Sequence, residues 1–218
     1  MGTAGEPYVP ALAYRWLTPF YDGVVRYTTR ERRFKSALLR QARISGQQRV
    51  LDLGCGTGTL AIEAKRGAPG SEVVGLDGDG EILARARAKA ARAGVAVRFD
   101  EALADALPYA AASFDRVLSS LFFHHLSPAA RQRAFAGIVR VLKPGGELHV
   151  ADWGAAANPL MRAAFYGIQL LDGFANTADN VQGRLPEYMR AAGLIEVRET
   201  RRFATVWGTL SLYRAGRP

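Results

Sequence analysis

From Arg49 onward the chain repeats one pattern: a short apolar run, a turn, then an amphipathic stretch of helix length. Arg49–Leu53, Glu72–Leu76, Val95–Phe99, Phe114–Ser120 and Glu147–Ala151 read as strands. Between them, Thr59–Arg66, Glu81–Ala93 and a segment from Ser127 to about Leu142 read as helices. Gly94 closes the second of these. Ser127-Pro128 opens the third, as an N-cap followed by proline at the first helical position. Strands alternating with helices of this length pair in parallel through crossovers. After Asp152 the alternation loosens. Asn158–Gly173 and Arg184–Ala192 read as helices, then Leu194–Thr200 and Phe203–Tyr213 as two closing strands. Their short link near Arg201-Arg202 makes them antiparallel. The expected fold is α/β, a doubly wound, mostly parallel seven-stranded sheet with an antiparallel final strand. Residues 1–48 are expected to form a helical, aromatic-rich lid, with Tyr14, Trp16, Phe20 and Tyr21 near its start. Residues 49–218 show no internal domain boundary, and a second helical lid is expected at about 158–192.

The first strand–helix turn carries the chemistry. Val50-Leu51-Asp52-Leu53-Gly54-Cys55-Gly56-Thr57-Gly58 ends a strand and opens a helix. Glycine permits a tight turn and close approach of a ligand to the backbone. The free N–H groups of a helix start attract negative or electron-rich atoms. In an open parallel sheet this turn lies at the topological switch point. A dinucleotide-binding fingerprint would space its glycines G-x-G-x-x-G. Here they fall at Gly54, Gly56 and Gly58, and Asp52 precedes them. A carboxylate there repels a pyrophosphate but suits an ammonium. Asp77, nineteen residues after Gly58, ends the second strand, where an acidic side chain accepts from ribose hydroxyls. An adenosine bearing an α-amino acid, S-adenosylmethionine, satisfies both carboxylates. A nicotinamide-dependent oxidoreductase is disfavoured by Asp52 and by the glycine spacing. A non-catalytic module that binds S-adenosylmethionine stays open.

Asp52-x-Gly54-x-Gly56-x-Gly58, Gly75-Leu76-Asp77, Ala104-x-x-Leu107-Pro108-Tyr109, Ser113-Phe114-Asp115 and Arg140-Val141-Leu142-Lys143-Pro144-Gly145-Gly146 occur in one order. In this the chain resembles the class I, Rossmann-like S-adenosylmethionine-dependent methyltransferases over about Arg49–Asp152, and within them the ubiquinone/menaquinone C-methyltransferase type. The resemblance implies roles. Gly54, Gly56 and Thr57 would lie against the methionine part of the cofactor, and Asp52 would help bind its amino group. Asp77 would hold the ribose, and Leu103 and Ala104 would flank the adenine. Leu103 departs from the usual Asp or Asn and cannot accept from the adenine amino group; nearby Asp105 is a substitute acceptor. Ser120 would contact the methionine end, and Tyr21 would close over the cofactor.

Methyl transfer from a sulfonium is an in-line displacement, helped chiefly by positioning. A base is needed only if the nucleophile must lose a proton. His124 and His125 follow the fourth strand at the ligand-binding edge. They are candidates for a base or substrate role, or for a scaffold role bonded to backbone. His149, inside the fifth strand, reads as a satisfied core residue. Asp152 is placed to orient a substrate hydroxyl or amine, or to cap a helix. Phe165, Tyr166 and Phe174 are candidates to cover an apolar or aromatic acceptor, although aromatics at helical spacing also build cores. The resemblance thus implies methyl transfer to a small apolar or amphipathic acceptor, such as an aromatic or quinol-type metabolite or a lipid-like amine.

Charge bears on partners. The net charge is +9. Eight basic residues and one acidic residue fall between Arg26 and Arg49, so the excess is concentrated ahead of the first strand. That argues for contact with an anionic membrane surface or an acidic acceptor rather than a long nucleic acid. Asn158-Pro159-Leu160 also departs from the Asn-Pro-Pro-aromatic motif of nucleic-acid N-methyltransferases. A single cysteine, Cys55, excludes an intramolecular disulfide framework and a thiolate metal cluster, and no metal is expected. No apolar run reaches the length of a membrane span, and Met1–Pro10 lack a signal-peptide layout, so a cytoplasmic protein is expected.

Overall fold

A computed structural model describes residues 31–172 and 179–218. The first described element is helix α1 (Glu31–Ala42). Strand β1 (Arg49–Leu53) follows, and from Val50 to Leu53 it is buried on both faces, as a central parallel strand must be. Helix α2 (Thr59–Gly67), strand β2 (Glu72–Asp77), helix α3 (Gly80–Ala93) and strand β3 (Arg98–Glu101) complete the first half. Strand β4 (Phe114–Ser120), a 3-10 turn at Phe123–His125, helix α4 (Pro128–Val141) and strand β5 (Leu142–Trp153) follow. Helices α5 (Pro159–Asp172) and α6 (Leu185–Ala191) precede strands β6 (Ile195–Thr205) and β7 (Gly208–Gly216).

Local chemistry fixes the helix ends. The Asp79 carboxylate accepts the N–H groups of Glu81 and Ile82 at the start of α3, and Gly94 ends it in the left-handed region. The Ser127 hydroxyl accepts from Ala130 N–H, with Pro128 just inside α4.

The seven strands are ordered β3-β2-β1-β4-β5-β7-β6. All pairs from β3 to β5 are parallel, and β7 runs antiparallel to both β5 and β6. The chain winds outward from β1 to β3, then returns to β4 on the other side of β1, so the switch point lies between β1 and β4. Two apolar layers cover the sheet. Val50, Leu118 and Ala151 pack with Phe34 and Leu38 of α1, Leu60 of α2 and Leu83 of α3. Leu51, Val117 and Val150 pack on the other face with Phe135 and Ile138 of α4 and Met189 of α6. By strand alternation Asp52 and Ser120 face the α1 layer, and Asp152 faces the α4 layer.

Three boundaries differ from the sequence reading. β3 begins at Arg98, because pairing with β2 starts at Val74 opposite Arg98. β5 begins at Leu142, which pairs with Phe114, so the Pro144-Gly145-Gly146 stop lies within the strand. The closing hairpin turns at Val206-Trp207 rather than near Arg201-Arg202. Thr205 Oγ1 donates to the Gly208 carbonyl and accepts Trp207 N–H, and Gly208 takes a φ of 134° that only glycine adopts readily. Arg201 and Arg202 instead continue the ladder opposite Leu212 and Ser211.

Candidate active site

The glycine turn closes between β1 and β2. Gly54 and Cys55 N–H both donate to the Leu76 carbonyl, at 2.9 and 3.0 Å. Gly54, Gly56 and Gly58 all have positive φ. Their surroundings divide them. A Cβ at Gly56 would meet nothing within 4 Å, whereas at Gly54 it would overlap the Phe122 ring, and at Gly58 it would lie 2.8 Å from Phe99. Gly56 is therefore the open point of the cradle. Gly54 and Gly58 are glycines because aromatic rings pack against the turn.

Asp77 braces this turn. Its Oδ2 accepts Gly56 N–H at 2.8 Å, and its Oδ1 accepts Asp79 N–H at 3.2 Å. Burial raises its pKa, against the pull of those hydrogen bonds. Asp52 lies beneath, 1% exposed, and its Oδ2 has no hydrogen-bond partner among the described residues. Burial pushes its pKa up to about 7, despite the Lys35 ammonium and the Ala61 N–H; the nearby Asp77 charge adds to the rise. Lys35 comes from α1, where it also pairs with Glu31 at 2.5 Å. The Ser120 hydroxyl, at the end of β4 on the same face as Asp52, is likewise buried without a partner. Burying a polar group without a hydrogen bond is costly. Two such oxygens beside an open glycine fit a ligand that brings donors, as an ammonium does.

After β3 the chain places Ala104 in the α4 layer and leaves Leu103 49% exposed. Asp105 is engaged by Arg133, whose Nε and Nη2 donate to its Oδ2 at 3.0 and 2.8 Å. The flank at this position is thus an exposed apolar side chain, with the adjacent carboxylate in an ion pair.

Asp152 and His124 form a buried pair on the opposite face. His124 Nδ1 lies 2.7 Å from Asp152 Oδ1, which also accepts Trp153 N–H at 2.7 Å. Asp152 Oδ2 accepts the N–H groups of Phe123 at 2.7 Å and Phe122 at 3.3 Å. Burial opposes the charged carboxylate, but His124 and the hydrogen bonds outweigh it and hold the Asp152 pKa below its ordinary value. The carboxylate thereby anchors the 3-10 turn that carries the Phe122 ring over Gly54. His125 stacks beside His124 with ring centroids 3.9 Å apart. Burial and the His124 charge lower its pKa well below the usual range, so it is neutral at pH 7. His149 sits apart in the α1 layer, where Gln41 Nε2 donates to its Nδ1 and its Nε2 donates to Glu147.

Phe165 is buried in the α1 layer, edge-on to Trp153 at 5.5 Å. Tyr166 is 49% exposed, with the Arg162 guanidinium 4.2 Å above its ring. Tyr21 and Phe174, named from the sequence, lie outside the described residues. Phe122, Lys35 and Asn180 were not named as site residues. Asn180 Nδ2 donates to the Trp153 carbonyl, and its buried Oδ1 has no partner among the described residues. Phe122 carried one signal, its position just past the fourth strand; Lys35 is legible only once α1 is laid against β1.

The segment 50–146 matches the methyltransferase domain family. The chain is 45% identical over 106 residues to a demethylmenaquinone methyltransferase of Thermus thermophilus, covering 49% of this chain and 47% of that protein. It is 36% identical over 151 residues to the enzyme of the same name from Deinococcus radiodurans, covering 68% and 62%. The chain thus spans between about half and two-thirds of these relatives' lengths. The crystal structure of the S-adenosylmethionine-dependent methyltransferase SibL superposes with a TM-score of 0.72 at 25% identity, covering 91% of this chain and 58% of that one. Fold, glycine turn and relatives agree: the chain carries, over residues 50–146, a methyltransferase domain of the class I S-adenosylmethionine-dependent family.

Proposed function

We propose that this protein transfers a methyl group from S-adenosylmethionine to a small apolar or amphipathic acceptor, with a quinol-type ring favoured over a lipid-like amine. The carrying observation is that the buried Asp52 Oδ2 and Ser120 Oγ, near the open Gly56, have no hydrogen-bond partner among the described residues. An α-amino acid supplies the donors these oxygens lack. When bound, the cofactor supplies a methyl carbon made electrophilic by its sulfonium. Asp52 accepts from the ammonium, with Ser120 at the same end. Asp77 accepts from the ribose hydroxyls, and Leu103 and Ala104 flank the adenine. For an acceptor that must lose a proton, His125 beside the His124–Asp152 pair is the candidate base, a weak one because burial and the His124 charge disfavour its protonated form. Helix α5 covers the acceptor, with its exposed Tyr166 toward it. The quinol preference rests on the demethylmenaquinone methyltransferase name of the two relatives.

The test is incubation with methyl-labelled S-adenosylmethionine and demethylmenaquinol, alongside host lipid and metabolite extracts. Label in the quinol is expected. Label in an extract amine instead overturns the quinol preference. Saturable cofactor binding with no labelled product in any arm overturns the enzymatic reading.

A further inference from the structure

A groove of about 630 Å³ lies between α1 and the edge strand β6. Its walls carry Arg32, Arg33 and Arg40 from the helix, and Arg201, Arg202 and Phe203 from the strand. Two segments some 160 residues apart in sequence thus converge five guanidinium groups on one cleft. Arg202 is neutralised by a bidentate pair with Glu199, both contacts at 2.7 Å, and Glu199 also accepts the Ser211 hydroxyl at 2.6 Å. Arg201 lies over the Phe203 ring at 5.0 Å. Among the described residues, Arg32, Arg33, Arg40 and Arg201 form no ion pair.

We infer that this groove binds a phosphate-bearing anion. Among the described residues no carboxylate balances Arg32, Arg33, Arg40 and Arg201, so the cleft presents a positive face to an anion. One carboxylate does not balance four guanidinium groups, whereas a diphosphate or clustered phosphate esters come close. The forked donors of arginine match phosphate oxygens in pairs. The volume is that of a small-molecule site. Phe203 and Ala204 in the groove wall give an apolar surface for an amphipathic phosphate ester. The inference stands apart from the methyl-transfer reading, because none of these arginines belongs to the glycine cradle.

The experiment uses the full chain at fixed ionic strength, with inorganic pyrophosphate in one arm. The other arm uses vesicles of phosphatidylglycerol against phosphatidylcholine. Saturable pyrophosphate binding is expected, weakened about tenfold or more in R32Q/R201Q. The control R85Q/R92Q removes two exposed arginines of α3 and leaves it unchanged. Pyrophosphate that also displaces the protein from phosphatidylglycerol vesicles identifies a lipid headgroup as the ligand. Pyrophosphate binding without vesicle binding identifies a soluble phosphate compound. No binding in either arm, or equal loss in R85Q/R92Q, overturns the proposal.

Discussion

Asp77 accepts the Gly56 N–H at 2.8 Å, tying the carboxylate at the end of β2 to the open point of the turn that follows β1. A carboxylate offers about four lone-pair positions. Gly56 and Asp79 N–H occupy two, which leaves capacity for a ribose diol. Asp77→Ala should therefore weaken S-adenosylmethionine binding by about 100-fold or more in calorimetric titration, through loss of two charge-assisted bonds. Asp77→Asn, which keeps one acceptor oxygen, should lose about tenfold. Wild-type titration of the alanine variant refutes the ribose role.

Asp52 predicts a pH dependence. Its carboxyl titrates near 7 when folded and near 3.8 in its ordinary state, so between these values the folded chain binds more protons. The associated stability is present below pH 4 and lost as pH rises through about 7, up to about 4 kcal/mol. An ammonium favours the ionised form, so cofactor binding below pH 7 expels the proton. Affinity should rise toward tenfold per pH unit from about pH 5 to 7 and then level off. Asp52→Asn should flatten the slope; an unchanged slope would assign it elsewhere.

The parallel half of the fold was legible because its signals are local. Asp79, Gly94, Ser127 and Pro128 each announce a helix end within a few residues. The closing hairpin was not, because Arg201-Arg202 looks like a break only until the ladder to Leu212 and Ser211 is seen. The site divides in the same way. Asp52, Gly56 and Asp77 share one turn and its neighbouring strand. The link from Asp52 to Lys35 depends on how α1 lies across the sheet, and the fit of Phe122 to Gly54 on a 3-10 turn pinned by Asp152. Neither has a periodicity to read.

Gly54 combines positive φ with the Phe122 ring against its Cα. Gly54→Ala should cost about 2 to 4 kcal/mol in thermal or urea unfolding, from backbone strain and overpacking together. Measured in a Phe122→Ala background, Gly54→Ala should cost only the strain, about 1 kcal/mol, because the overpacking is gone. An undiminished cost in that background would mean that the ring is not the obstacle.

Asp152 and His125 should separate stability from chemistry. Asp152→Ala strands three N–H groups and His124 in the interior, and should destabilise by about 3 kcal/mol or more in unfolding experiments. His125→Gln should lower kcat at least about tenfold with an acceptor that loses a proton, and leave cofactor affinity unchanged. An unaltered kcat would return His125 to a packing role.

Phe165 and Tyr166 are adjacent on α5 yet differ in environment. Phe165 packs edge-on to Trp153 in the α1 layer, and a Cβ on Gly208 would lie 3.0 Å from its ring. Phe165→Ala should therefore cost about 3 to 5 kcal/mol of stability through the cavity it leaves. Tyr166 is half exposed, and its removal forfeits mainly the Arg162 contact, worth about 1 kcal/mol. If α5 covers the acceptor, Tyr166→Ala should raise the acceptor KM several-fold while the cofactor Kd and unfolding midpoint stay near wild type. A KM equal to wild type would remove Tyr166 from the acceptor site and leave α5 a packing element alone.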